Sequence, residues 1–163
     1  MGKLVTFEVE NLGEFKANAR LNIRQEMRTE LVYQDLLGDD GAMALQKAEK
    51  MEKQAHKEIL QDILLSEYEE KTFDQLSAEQ KDTVLAQVHD QYLFSPKPSA
   101  QIAHGIRYRL NALRYLAELQ EALVIYPESF DPWNPDEIYD YEDIFRIYTA
   151  WTEAAGNDVK KKE

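Results

Sequence analysis

Three histidines, His56, His89 and His104, are the obvious starting point for chemistry in a chain with no cysteine. Each stands alone, with no second His or Cys at the spacing that a zinc ion needs, so each reads as a helix-face residue. No GxxxxGK[ST] loop or GxGxxG turn is present to cradle phosphates, and no GxSxG elbow presents a serine nucleophile. Asp39-Asp40-Gly41 opens like a calcium loop, but the later ligand positions fall on alanine, leucine and lysine. Carboxylates are the remaining resource. The stretch Val124–Ile144, VIYPESFDPWNPDEIYDYEDI, holds seven of them with five aromatics, three of the chain's five prolines and no Lys, Arg or His. Asp136 with Asp140, or Asp140 with Asp143, falls on one helical face, as the carboxylate pair of a glycosidase or a metal site would. Carboxylates crowded at a helix start are also what the macrodipole favours. The expectation is therefore no enzyme: no catalytic, cofactor-binding or metal-ligating residues.

Charge narrows the partners. The net charge of −12 is uneven: residues 116–155 carry ten acids against Arg146 alone. Such a field repels phosphate backbones and argues against direct nucleic-acid binding. It suits a solvated acidic surface, a dock for a basic partner, or a protein mimic of nucleic acid. No apolar run is long enough to span a membrane. The amino terminus, MGKLVTFEVE, lacks the apolar core of a signal peptide. With no cysteine to crosslink, a cytoplasmic protein is expected.

The elements follow from periodicity. Leu4–Val9 alternates, Asn11-Leu12-Gly13 supplies a turn, and Glu14–Ala19 alternates again, which predicts a β-hairpin over about residues 3–20 with Gly13 taking positive φ. From Asn22 the period becomes helical, with Ile23, Met27, Glu30/Leu31, Gln34 and Leu37 on one stripe and Gly38 as the cap. Asp39–Gly41 reads as a loop. A second helix over Ala42–Glu67 places Ala44, Ala48, Met51, Ala55, Ile59 and Ile63 on its apolar side, opposite Glu49 and Lys53. Ser77-Ala78-Glu79-Gln80 matches a capping box opening a helix with Val84, Leu85, Val88 and Tyr92. Ser95-Pro96-Lys97-Pro98 ends it. Ser99 then caps a long helix to about Leu123, with Ile102, Ile106, Leu110, Leu113, Leu116 and Leu123 as the longest apolar stripe. Arg107 and Arg114 lie seven apart on it, read as pairing with the acidic segment that follows or as contacts for an acidic partner.

The acidic stretch itself divides. Val124–Trp133 reads as an irregular link broken by Pro127 and Pro132. Asn134 suits an N-cap and Pro135 the first position of a final helix. Ile138, Tyr141, Phe145, Tyr148 and Trp151 then form its core stripe. Tyr126, Phe130 and Trp133, on the link, are left as the candidate partner contacts. The expected architecture is mainly α (α+β): a hairpin followed by about five helices in one domain over residues 1–155, with a flexible charged tail over 156–163.

Several of these features occur together in one known family. The hairpin Phe7-Glu-Val-Glu-Asn-Leu-Gly-Glu-Phe15 is followed by a basic helix with Arg24, Arg28, Glu30 and Tyr33 that ends in Leu36-Leu37-Gly38. Later come a long apolar helix, Pro127-Glu-Ser-Phe-Asp131, and a closing helix with an aromatic stripe. In this order the chain resembles the tail assembly chaperones of long-tailed bacteriophages and prophages. The resemblance covers the first 40 and last 60 residues, and residues 66–98 stand as an insertion. It implies a non-enzymatic protein of the infected bacterial cytoplasm, absent from the mature virion. Its partners would be the tape-measure protein and the tail-tube protein, and a homo-oligomer is compatible with that role. Many of these genes carry a programmed frameshift, for which the codons of Lys160–Lys162 are the place to look. Two other readings stay open: an acidic regulatory protein acting as a nucleic-acid mimic or inhibitor of a basic enzyme, and another morphogenesis factor such as a head–tail joining protein.

Overall fold

The structure is a computed structural model that describes residues 2–160, with side chains described through Gly156. It is mostly helical. Strands β1 (Leu4–Val9) and β2 (Gly13–Asn18) lead into α1 (Ile23–Glu67), α2 (Ala78–Leu93), α3 (Pro98–Ala122), β3 (Leu123–Ile125) and α4 (Tyr141–Lys160). Among the described residues four helices are counted where about five were expected. The difference lies at Gly38, whose φ of 59° and ψ of −168° are non-helical and mark a kink between two helical runs that together make up α1. Gly38 takes the positive φ that its role as a cap demanded, but Asp39–Gly41 continue as helix rather than loop. The chain groups into two compact units, Met1–Gly41 with Arg109–Glu163, and Ala42–Tyr108.

The first unit is built on the hairpin. Phe7 stands opposite Phe15 and Val9 opposite Gly13, and the two rings stack at 5.4 Å. Gly13 closes the turn with a φ of +129°, and a Cβ there would come within 3.2 Å of Pro127. A two-stranded hairpin is marginal alone. Here β3 pairs antiparallel to β2, giving the order β1-β2-β3 and making β2 the central strand. Val5, Phe7, Val9, Phe15 and Ala17 point to one face and are buried. They join Leu116 and Leu119 of α3 and Ile144, Ile147 and Trp151 of α4 in one core. The Trp151 indole donates to the Asn18 carbonyl at 2.8 Å, so its polar edge is satisfied on burial.

The face that α1 turns inward in this unit is only partly the one its apolar pattern suggested. Leu37 of that stripe is buried, but Ile23, Met27 and Leu31 are exposed, and Thr29 and Tyr33 are buried instead. Thr29 can be buried because its hydroxyl donates to the Gln25 carbonyl at 2.9 Å. Tyr33 lies under the Arg114 guanidinium, 3.9 Å from ring centre to carbon.

In the second unit Ala48, Ala55, Ile59 and Ile63 of α1 are buried as their spacing required. Most of them meet Val84, Val88 and Tyr92 of α2, with Ala100 and Ala103 of α3. The capping box is present as expected: the Gln80 amide donates to the Ser77 hydroxyl at 3.2 Å, and the Ser77 amide donates to Gln80 at 3.0 Å. Ser99 is not a cap. Pro98 takes the first position of α3, where a residue without an amide proton loses nothing, and Ser99 is buried. Tyr92 is sandwiched between His56 and His104, with ring centres at 4.5 Å and 4.4 Å. Four of these buried helix positions, Ala48, Ala55, Ala100 and Ala103, are alanines, small enough to let helix backbones approach closely.

Phe15→Ala should cost about 3–5 kcal/mol, the range for emptying an aromatic site in a packed core. Gly13→Ala should cost about 1–3 kcal/mol through its backbone conformation, with the crowding against Pro127 added. Urea unfolding would read both, and an unchanged midpoint for either would contradict the packing described.

Candidate functional site

The aromatic, acidic stretch after α3 is only partly a surface. Its first residues form β3, where Leu123 is buried and Val124 and Ile125 are exposed. The link then folds back on the hairpin. The Ser129 hydroxyl donates to the Leu12 carbonyl at 2.7 Å, and the Gln120 amide side chain donates to the Pro132 carbonyl at 2.8 Å. Both of those carbonyls would otherwise want water, so each bond lets the link lie close to the core. Phe130, at 3 % exposure, meets Phe15 edge-on at 6.3 Å. Of the three link aromatics singled out as partner contacts, Phe130 is thus a core residue and Tyr126 is half-buried against the core. Trp133 is 54 % exposed. The pattern of types could not separate them, because all three sit among prolines and acids without a periodicity.

The final helix starts later than expected. Pro135–Glu137 form a single 3-10 turn, and α4 begins at Tyr141. The Asp140 carboxylate accepts the Glu142 amide at 2.9 Å, so Asp140 performs the capping work assigned to Asn134. Asp143 pairs with Arg146 at 3.6 Å. Burial, and then the neighbouring Asp140, push its carboxyl above the ordinary range despite Arg146. Arg146 also donates to the Glu10 carbonyl, which ties the start of α4 to the hairpin turn. Of the carboxylates that looked like a catalytic pair, Asp140 and Asp143 therefore have local structural partners. Among the residues described, no group of three His, Asp or Glu side chains is placed to hold a metal ion. Tyr139, at 85 % exposure, was not among the candidates, yet it is more exposed than Trp133 or Tyr141 in the same stretch.

The two arginines pair with α1, not with the acidic stretch. Arg107 donates to Glu52, which holds its charge firmly. Arg114 pairs with Glu30 at 3.2 Å while stacking on Tyr33. Glu30 in turn is held below the ordinary carboxylate range by the Gln34 side chain, then by Arg114. These partners lie 55 and 84 residues away in sequence, beyond the reach of local pattern.

Arg114, Glu30, Glu118, Tyr148 and Trp151 line a cavity of about 420 Å³ in the first unit. Burial raises the Tyr148 hydroxyl well above its ordinary value, and its hydrogen bond to the Glu118 carboxylate adds to the shift. Tyr148 also stacks on Tyr115 at 4.0 Å. No helix among the described residues is long and apolar enough to cross a membrane. The tail expected over 156–163 continues α4 to Lys160, and residues 161–163, with most of the lysine run, lie outside the described residues.

The site and fold define a small α+β protein whose exposed aromatics border an acidic segment. No protein-family profile, curated protein or solved structure matches this chain.

Phe130→Ser should lower stability by about 3–5 kcal/mol as a core deletion. Trp133→Ser should change it by no more than about 0.5 kcal/mol, as befits an exposed position. Thermal melts would separate the two, and equal losses would contradict their placement. Because the folded Tyr148 hydroxyl titrates above the unfolded one, its contribution to stability is present below the unfolded value near 10 and is lost as pH rises through the folded value. Tyr148→Phe should therefore make stability fall less steeply above pH 10, as read by denaturant titration across the alkaline range.

Proposed function

We propose that this protein is a non-enzymatic assembly chaperone that holds an apolar helical client, of the kind a phage tape-measure protein presents, during tail-tube assembly. The observation that carries the reading is the run of exposed apolar groups just outside the core: Val124 and Ile125 on β3, then Trp133 and Tyr139. They are interleaved with Glu128, Asp131, Asp136, Glu137 and Asp140. A protein that must keep a sticky client in solution needs apolar contact area fenced by charge that keeps the protein itself dissolved. The acidic fence also speeds encounter with a basic client. The sequence resemblance to tail assembly chaperones points the same way.

The scaffold suits this role. Phe130 and the Ser129 bond fasten the link to the hairpin, so its exposed aromatics stand on a fixed base, which lowers the entropy cost of binding. Cytoplasmic residence in a bacterial host, absence from the virion and contact with the tail-tube protein belong to the same proposal.

The test is co-purification of the full chain with a tape-measure fragment, repeated with Trp133→Ser/Tyr139→Ser. The wild-type chain should retain the fragment, and the double variant should lose it while keeping its melting temperature. Retention by the variant would remove this surface from the proposal. If the wild-type chain ignores the fragment but binds a DNA-binding protein in a salt-sensitive way, the acidic-mimic reading replaces it.

A further inference from the structure

The second unit holds a groove that the chaperone reading does not use. Leu60, Leu64, Leu65 and Phe73 form its apolar floor, and Lys57 and Lys71 stand at its rim, in a space of about 570 Å³. Leu65 is 60 % exposed, and Lys57 and Lys71 are exposed as well. The Lys81 ammonium adds a third positive charge 5.6 Å above the Phe73 ring. Glu70, also at the rim, is the only acid among the lining residues. The groove is shaped by a strained turn. Glu69 and Glu70 take φ values of 52° and 65°, and the Glu70 amide folds back to the Leu64 carbonyl at 3.1 Å. Two successive non-glycine residues in the left-handed region are costly, and they swing Lys71, Thr72 and Phe73 back alongside the last turns of α1.

An apolar groove with a basic rim is unusual on a chain of net charge −12. It calls for an aromatic anchor flanked by carboxylates. The chain carries that chemistry itself: Trp133 and Tyr139 are exposed, with Asp136 and Glu137 exposed between them. An aromatic side chain contributes about 150–250 Å² of contact and prefers such pockets at interfaces. A groove of about 570 Å³ falls in the range that receives such anchors.

We propose that the groove receives the Trp133–Tyr139 segment of a second copy of this chain. The rim lysines meet Asp136 and Glu137 while an aromatic ring covers Leu64 and Phe73. The two surfaces are different, so the contact is heterologous. Each copy keeps one unused groove and one unused segment, and association runs on to rings or open chains instead of stopping at a dimer. This does not depend on any client.

The experiment is sedimentation velocity on the full chain over a wide concentration range, with no client present. The wild-type chain should form species that grow with concentration. Lys57→Glu/Lys71→Glu alters only exposed side chains of the groove rim, and Trp133→Ser/Tyr139→Ser alters only the segment. Each variant alone should stay monomeric, with circular dichroism unchanged. Mixed together, they should form a one-to-one dimer and nothing larger, because one intact groove and one intact segment remain in the pair. A wild-type chain that is monomeric throughout would overturn the proposal. So would a lysine variant that associates like the wild type, or a mixture with no dimer.

Discussion

The burial of one ring, Phe15, organises the first unit. It lies on the central strand of a three-stranded sheet, fully buried, with Phe7 stacked beside it and Phe130 against its edge. A sheet this small has one face to bury and little of it, so nearly every apolar atom on that face must find a partner. Helices α3 and α4 supply most of them. The link after β3 supplies the rest, and this is why a proline-rich, acidic segment without regular structure is nonetheless held in place. Gly13 is the geometric counterpart of Phe15: its conformation lets the hairpin turn tightly and leaves room for Pro127 to close over it.

The second unit follows a different economy. Its core sets three alanines on α1 and α3, Ala55, Ala100 and Ala103, among the larger Ile59, Ile63, Leu76, Val84, Val88 and Tyr92. The small residues leave room for the large ones, and the dispersion contacts between them add up. Tyr92, between two histidines and bonded through its carbonyl to the His104 ring at 2.8 Å, is its main polar feature. This unit contains residues 66–98, the region that the family resemblance leaves unaccounted for. The strained Glu69-Glu70 turn and its basic-rimmed groove lie within it.

Much of the secondary structure was legible because it depends on near neighbours. The hairpin, the positive φ of Gly13, the capping box at Ser77 and the buried stripe of Ile59 and Ile63 are each decided within a few residues. The inward face of the first part of α1 was not legible. Ile23, Met27 and Leu31 follow the period of a buried stripe with Leu37, yet only Leu37 of them is buried, alongside Thr29 and Tyr33. Thr29 satisfies its own hydroxyl along the helix, and Tyr33 is covered by an arginine from 81 residues later in the chain. Strand β3 was missed because three residues carry no measurable alternation, and its identity depends on β2 offering an edge.

The same division runs through the candidate site. Composition alone determined that the stretch after α3 is acidic and aromatic, that it lacks every familiar catalytic motif, and that its prolines break regular structure. Those properties belong to residue types and short spacings, which the chain carries whether folded or not. Only the tertiary structure decided which aromatics face water. Phe130 was drawn under the hairpin by Phe15, while Trp133, three residues on, and Tyr139 were left outside. It also decided that Arg107 and Arg114 answer to Glu52 and Glu30, and that Asp140 caps a helix. Such choices depend on which distant surface has room and an unmet polar group, and that is settled when the elements pack.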